Sequence, residues 1–231
     1  MIALFRPYTK KASNSILILW ILLIFVGIGS LYFHATLSLA GQLLDEICIL
    51  WVLMAGYALF LPSIYLPQSW RLQRYRFVYG CIIIAIVITS LSVVYPYANA
   101  FALMLLGLPA IAFMGTHIAR CDNRRIKDLG IRCLVLWTIA VTIWICDRVF
   151  CPFWLSISFP YLHAIWHVLI IFSSNQAIVI CSYLIIKQNY PQIQLNLHYW
   201  PYEHWEYFGI PYVKFANDVD LLTSHNIKAV V

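Results

Sequence analysis

Six long runs of apolar residues, separated by short polar segments, dominate the hydrophobic pattern of the 231-residue chain. A helix needs about 20 apolar residues to cross the hydrocarbon core of a bilayer, and each run reaches that length. The pattern therefore predicts six membrane-spanning helices, near residues 15–37, 43–62, 77–95, 97–119, 133–151 and 160–186.

The composition agrees with this prediction, because the chain is 63% hydrophobic and only 10% charged. A typical soluble domain is about 25% charged, and a water-soluble globule of this size could not bury so much apolar surface. We therefore predict an all-α, polytopic transmembrane helix bundle over residues 1–187. Residues 188–231 are rich in Tyr, Trp, Asn and Pro. We expect them to form an irregular cytosolic tail against the bilayer interface, where Trp and Tyr are favoured.

The net charge of +6 reports membrane topology rather than nucleic-acid binding. Basic residues cluster near the amino terminus, in the loops 63–76 and 120–132, and directly after the last span. The connections near 38–42, at 95–97 and at 152–159 contain no Lys or Arg. Because cytosolic loops carry the excess of Lys and Arg, we predict that both termini are cytosolic and that the opposite face is luminal or extracellular.

Several polar residues lie inside the predicted spans, where ionisable groups are costly and mark functional sites by default. With the topology assigned from Lys and Arg alone, these residues all fall within a turn or two of the luminal surface, at a rise of about 1.5 Å per residue. They are Ser30 and His34 in the first span, Asp45 in the second, Asp147 in the fifth, and His163 and His167 in the sixth.

The spacing of the histidines favours a metal site. His163 and His167 are four residues apart, on one helix face, so their imidazoles can share one metal ion. His34 would be a third ligand from another helix, and three protein ligands with an open fourth position are typical of catalytic zinc. Ser30 precedes His34 by four residues, which places its hydroxyl on the same face as the third ligand.

Structural explanations for these residues stay open at this point. A single His-x3-His pair in a helix is weak evidence for a metal, and a membrane serine often bonds its own backbone. Asp147 could form an ion pair with Arg148 at the membrane edge, or it could take part in catalysis. A proton-coupled transporter using Asp45 and Asp147 is disfavoured, because the two halves of the chain lack the symmetry of such folds.

The motifs SLYFHATLSLAGQLLDE and FPYLHAIWHVL, with the tail phrase GIPYVKF, resemble those of the alkaline ceramidases. These enzymes belong to a wider group of intramembrane zinc hydrolases that includes relatives of the adiponectin and progestin receptors. The resemblance implies that His34, His163 and His167 bind Zn²⁺, and that Ser30 and Asp45 occupy the remaining active-site positions. The implied reaction is hydrolysis of the ceramide amide to sphingosine and a fatty acid, in the membrane of the endoplasmic reticulum or Golgi.

On this resemblance, we assign Asp45 as the general base and Ser30 as a hydrogen-bond donor to the oxyanion. The substrate partner would be ceramide within the bilayer, and the sequence names no protein partner. The alternative function is a receptor-like protein or pseudoenzyme that keeps a structural zinc site.

The beginning of the chain departs from the family pattern. Family members have seven spans, and they begin with a luminal WCE-type motif and a first helix containing E-F-x-N, which together supply a calcium site. Here Met1 is followed almost at once by RPYTKK, so the Ca²⁺ ligands and that first span are absent from the sequence. We therefore expect a fragment or an alternative start, and we expect Cys151 to be unpaired, because its implied partner lies in the missing segment.

Overall fold

A computed structural model describes residues 16–159, 161–189 and 191–215 of the chain. The amino-terminal basic segment and the last part of the predicted tail lie outside these residues. The helices are α1 (Ile16–Thr36), α2 (Leu39–Phe60), α3 (Gln68–Leu72), α4 (Arg74–Val94), α5 (Tyr97–Ala119), α6 (Arg124–Val149), α7 (Cys151–Ser156) and α8 (Leu162–Asn189), and a 3₁₀ turn spans Ser63–Tyr65. Two strands follow, β1 (Leu195–Trp200) and β2 (Ile210–Phe215).

Six helices of the described chain are long and apolar enough to cross a membrane: α1, α2, α4, α5, α6 and α8. Large apolar side chains on these helices are widely exposed, as at Leu31 and Phe101, which are 72% and 71% exposed. Such exposure suits lipid rather than water as the surrounding solvent. The prediction of an all-α, multi-pass membrane protein is therefore confirmed.

The predicted spans are displaced from the observed helices mainly at the fifth span. The loop predicted at 120–132 becomes helical at Arg124, nine residues before the predicted start of that span. The Asn123 side chain caps α6 by accepting hydrogen bonds from the backbone N–H groups of Arg125 and Ile126. A charged first turn is compatible with a helix, because capping and buried contacts such as those of Ile126 stabilise it outside the apolar run.

The described chain divides within α5 into two compact units, at Ala110 and Ile111. In the first unit, α1 packs against α2, and α2 packs against α4 through a cluster of Leu50, Met54, Ala58, Cys81 and Ala85. The end of α2 is held by a side chain from α4. Nη2 of Arg74 lies 3.1 Å from three carbonyl oxygens at the carboxyl end of α2, those of Ala58, Leu59 and Leu61, and donates hydrogen bonds to them. An arginine that marks topology in the sequence thus also satisfies carbonyls at a helix end.

In the second unit, α6 packs along α8. A buried contact between the two helices joins Cys133 and Ser173: the Ser173 hydroxyl donates to the Cys133 carbonyl at 3.2 Å, and the Cys133 thiol donates to the Ser173 carbonyl at 3.3 Å. At the start of α6, the side-chain amide of Asn123 donates a hydrogen bond of 3.2 Å to the hydroxyl of Tyr183 on α8. The helix pair is therefore fixed by polar contacts as well as by apolar packing.

Residues 195–200 and 210–215 of the tail form strands, so the expectation of an irregular tail is wrong for these two stretches. Strands β1 and β2 pair antiparallel, with Leu197 opposite Val213 and Tyr199 opposite Pro211. Alternate residues of β1 are buried, which is the period expected of a strand with one packed face. The hairpin packs against α8 through β2, so protein contacts order a segment whose composition suggested an interfacial coil.

Candidate metal centre

A tight turn joins α1 to α2 and sets these helices side by side. Only Leu37 and Ser38 separate the two helices, and Leu37 adopts a left-handed backbone conformation with φ of 48°. The Ser38 hydroxyl caps α2 by accepting a hydrogen bond of 3.1 Å from the N–H of Gly41. A connection this short requires that α1 and α2 run antiparallel as immediate neighbours.

Two glycines allow the backbones of α1 and α2 to approach closely. A Cβ on Gly41 would stand 2.8 Å from the Cα of Phe33, and a Cβ on Gly29 would stand 3.3 Å from the Cα of Asp45. Small residues are the usual means of close helix contact in membranes. The contact at Gly29 sets Asp45 opposite the stretch of α1 that carries Ser30 and His34.

Asp45 is buried, at 3% exposed, whereas the neighbouring Leu44 is 45% exposed. A carboxylate facing protein while a leucine faces outward is the arrangement expected in lipid, where ionisable groups turn to the bundle interior. Ser30 is partly buried and His34 is exposed. Residues four apart on a helix face the same side, so the Ser30 hydroxyl and the His34 ring share one face of α1.

His163 and His167 lie in the first two turns of α8. Their ring centroids are 4.8 Å apart and the rings meet at 80°, edge to face. Both side chains are partly buried. The predicted pairing of these two imidazoles on one helix face is therefore observed.

Asp147 contacts one of these histidines. Its Oδ2 lies 3.4 Å from Nδ1 of His163, and both side chains are mostly buried. The guanidinium of Arg148 lies over the ring of Trp144 instead, 5.6 Å from its centroid. The structure thus sets Asp147 against His163 and Arg148 against Trp144, which does not support the predicted ion pair of Asp147 with Arg148; a part in catalysis stays a prediction.

The three histidines singled out by spacing form a group that could hold a metal ion. His34, His163 and His167 each offer one ring nitrogen, and the three nitrogens lie within 4.8 Å of one another. Three imidazoles are a ligand set that suits zinc, which histidine nitrogens bind at about 2.0–2.1 Å. The donor set fits the metal that the motifs imply.

The glycines that bring α1 and α2 together were not among the residues singled out in the sequence, although Gly29 directly precedes Ser30 and Gly41 lies four residues before Asp45. Cys151, which the resemblance implies would be unpaired, is an exposed free thiol.

The fold and the histidine group together define a multi-pass membrane protein with a potential three-histidine metal centre. The ceramidase family model matches residues 1–214. The chain is similar to an alkaline ceramidase of Drosophila melanogaster, 43% identical over 217 residues that cover 94% of this chain and 76% of the relative. It is also similar to alkaline ceramidase 1 of Homo sapiens, 38% identical over 94% of this chain and 82% of the relative.

Alkaline ceramidase 1 of Mus musculus is 41% identical over 94% of this chain and 80% of that protein. The chain therefore belongs to the ceramidase family, and the family resemblance identified from the motifs is confirmed.

Proposed function

We propose that this protein is a zinc-dependent intramembrane amidohydrolase that cleaves the amide bond of ceramide, releasing sphingosine and a fatty acid. Membership of the ceramidase family supports the reaction and its lipid substrate. The single observation that supports a metal mechanism is the group of His34, His163 and His167, whose nitrogens lie within 4.8 Å of one another.

In this proposal the three histidines hold zinc. When bound, the ion would supply Lewis acidity, which activates water as a nucleophile and polarises a carbonyl. The chain's own residues then account for orientation and proton transfer.

Asp45 is the proposed general base. Its buried carboxylate takes the proton of the attacking water and later delivers it to the leaving nitrogen, so that the amine departs neutral. The close contact of Asp45 with Gly29 supports this role, because it fixes the backbone of the base against the helix that carries His34.

Ser30 is the proposed donor to the tetrahedral oxyanion. Its hydroxyl shares a helix face with His34, and donors aimed at a developing oxyanion contribute about 3 kcal/mol in comparable sites. Hydrogen bonding to the transition state rather than to the ground-state amide is what makes this contribution catalytic.

The substrate is itself a membrane lipid, so the exposed apolar faces of the spans supply the surface along which its two hydrocarbon chains lie. Following the positive-inside rule, we propose that both ends of this chain are cytosolic and that the centre lies near the luminal side of the endoplasmic reticulum or Golgi membrane.

The experiment that tests the proposed function incubates the purified full chain, in lipid nanodiscs, with ceramide labelled in its acyl chain. We expect release of labelled fatty acid, its loss on treatment with a zinc chelator, and its recovery on adding Zn²⁺. A His34→Ala, His163→Ala, His167→Ala triple variant is the control for contaminating activity. Bound zinc without product release would instead favour a receptor-like protein or pseudoenzyme that keeps the metal for structure.

A further inference from the structure

The carboxylate of Asp147 stands at the junction of α6 and α8. It lies in the last turn of α6, and His163 lies in the first turn of α8, with Oδ2 and Nδ1 3.4 Å apart. The short helix α7 and a turn at Ser158, where φ is 57°, reverse the chain between them. The side chains are only 23% and 15% exposed, so the contact is largely shielded from solvent.

The chemistry of imidazole gives this contact a consequence for metal binding. A neutral histidine carries its proton on one ring nitrogen and offers the lone pair of the other as a metal ligand. The hydrogen-bond partner of the ring sets which nitrogen holds the proton. A carboxylate facing Nδ1 favours the tautomer with the proton on Nδ1, which leaves the lone pair on Nε2. Such a carboxylate also fixes the ring plane and raises the basicity of the ligating nitrogen.

We propose that Asp147 is a positioning residue that holds His163 in the orientation and tautomer needed to ligate the metal through Nε2. The inference rests on the proposed function, since it needs His163 to be a zinc ligand. It concerns a residue outside the set formed by Ser30, His34, Asp45, His163 and His167.

Helix geometry separates this role from a simple ion pair with the adjacent arginine. Successive residues on a helix do not face each other, and the structure shows the divergence: Asp147 faces His163 while Arg148 lies over Trp144. Arg148 therefore points away from Asp147, and the residue that Asp147 faces, His163, is 16 positions further along the chain (163 − 147).

The test compares the full chain with Asp147→Asn and Asp147→Ala variants in nanodiscs. Asparagine keeps the shape but loses the charge, and alanine removes the acceptor. Zinc affinity is measured by competition with a chromogenic chelator, and the geometry of the site is measured from the visible absorption of the Co²⁺-substituted protein. Asp128→Asn is the matched control, because Asp128 lies on the same helix, is 58% exposed, and pairs with Arg124 at 4.0 Å.

We expect zinc affinity to fall roughly 10- to 100-fold in Asp147→Ala, which is the range for loss of a ligand's orienting partner, and to fall less in Asp147→Asn. The Co²⁺ spectrum should change in both variants, whereas the metal-free proteins should unfold at the wild-type temperature. The control should retain wild-type affinity and spectrum. A merely structural role for Asp147 would lower the unfolding temperature without altering the Co²⁺ spectrum.

The outcomes separate this inference from the proposed function. Wild-type affinity and an unchanged spectrum in both Asp147 variants would overturn the positioning role while leaving the zinc site intact. If the wild-type chain bound no zinc, the metal mechanism would fail first, and the inference would fall with it. Should Asp147→Ala not fold, the Asp147→Asn variant alone decides the question, because it preserves the side-chain volume.

Discussion

The Cα of Asp45 lies 3.3 Å from the point where a Cβ would stand on Gly29. A side chain on Gly29 would make a contact tighter than most Cβ contacts, so the backbones of α1 and α2 meet closely at the level of the proposed base. The same pair of helices meets again at Gly41, whose Cβ would stand 2.8 Å from the Cα of Phe33. The proposed catalytic carboxylate is thus positioned by the absence of side chains on the neighbouring turns.

The first prediction concerns this close approach. Gly41→Ala would place a methyl group against backbone of Phe33, so α1 and α2 must move apart. Overpacking of this kind costs about 1–3 kcal/mol, and a displacement of about 1 Å at a catalytic group can cost roughly 100-fold in rate. We expect a lower unfolding temperature and a loss of ceramide hydrolysis of that order.

The matched control is Gly27→Ala on α1, since nothing lies within 4 Å of a Cβ at Gly27. It should retain activity, and its unfolding free energy should rise by about 0.5–1 kcal/mol, because alanine is the better helix former. Equal behaviour of the two alanine variants would contradict the role of Gly41.

The second prediction concerns Asp45. Asp45→Asn removes the proton acceptor and keeps the volume, so ceramide turnover should fall by roughly 10²- to 10⁴-fold, as for the loss of a general base. The zinc content, measured by mass spectrometry, should stay at the wild-type level, because the histidines are unchanged.

The neighbouring acidic residue offers the comparison. Glu46 accepts a hydrogen bond of 3.0 Å from Gln42 on its own helix, so Glu46→Gln should retain most activity. Substantial residual turnover in Asp45→Asn would remove Asp45 from the mechanism, whatever the behaviour of Glu46→Gln.

The sequence alone predicts the spans well, because apolar length is what a bilayer selects. It misplaces the start of α6 since the turns from Arg124 to Arg132 are charged, and a count of apolar residues detects only the part of a helix in hydrocarbon. The sequence prediction misses the hairpin because it considers only the composition of the tail and not the alternation of apolar and polar residues. Leu195, Leu197 and Tyr199 are buried at every second position. That period could have been read from the sequence.

The sequence predicts only part of the geometry of the histidine group. Topology gives the depth of each residue, and a spacing of four gives the shared face of His163 and His167. Neither gives the rotation of one helix against another, which decides what Asp147 faces. The contact of Asp147 with His163 therefore needed the structure, and so did the glycine contacts that seat α2 against α1.

The third prediction concerns the attachment of the hairpin to α6. Arg132 donates a hydrogen bond of 2.7 Å to the hydroxyl of Tyr199 and another to the carbonyl of Glu206, and its guanidinium lies 5.3 Å from the ring centroid of Tyr207. Removing these contacts with Arg132→Ala should cost about 2 kcal/mol. Amide hydrogen exchange over residues 195–215 should then become roughly 30-fold faster.

Arg124→Ala is the control for this prediction, because the Arg124 side chain is 95% exposed and pairs only loosely with Asp128. Exchange over residues 195–215 should stay at the wild-type rate in that variant. If exchange in Arg132→Ala were as slow as in the wild-type chain, packing against α8, rather than Arg132, would hold the hairpin.

The last prediction is a pH dependence of the same hairpin. Slight burial would by itself raise the pKa of Glu203, but a hydrogen bond with His198, the charge of His198 and the hydrogen bond with Arg125 outweigh it and hold the pKa below its usual 4.5. A carboxyl whose pKa is lowered by folding stabilises the folded form above its unfolded pKa, and the contribution is lost as the pH falls through the lowered value. The hairpin should therefore loosen on acidification below about 4.5.

The measurement is amide exchange over residues 195–215, corrected for the intrinsic pH dependence of exchange. Glu203→Gln should exchange faster at neutral pH and lose most of the acid-induced increase, because glutamine cannot titrate. Asp128→Asn should keep the wild-type profile. Glu206 also contacts Arg125, at 2.9 Å, and would account for any acid response that survives in Glu203→Gln. A full wild-type response in Glu203→Gln would therefore assign the pH dependence to Glu206 instead, and would refute the role given to Glu203.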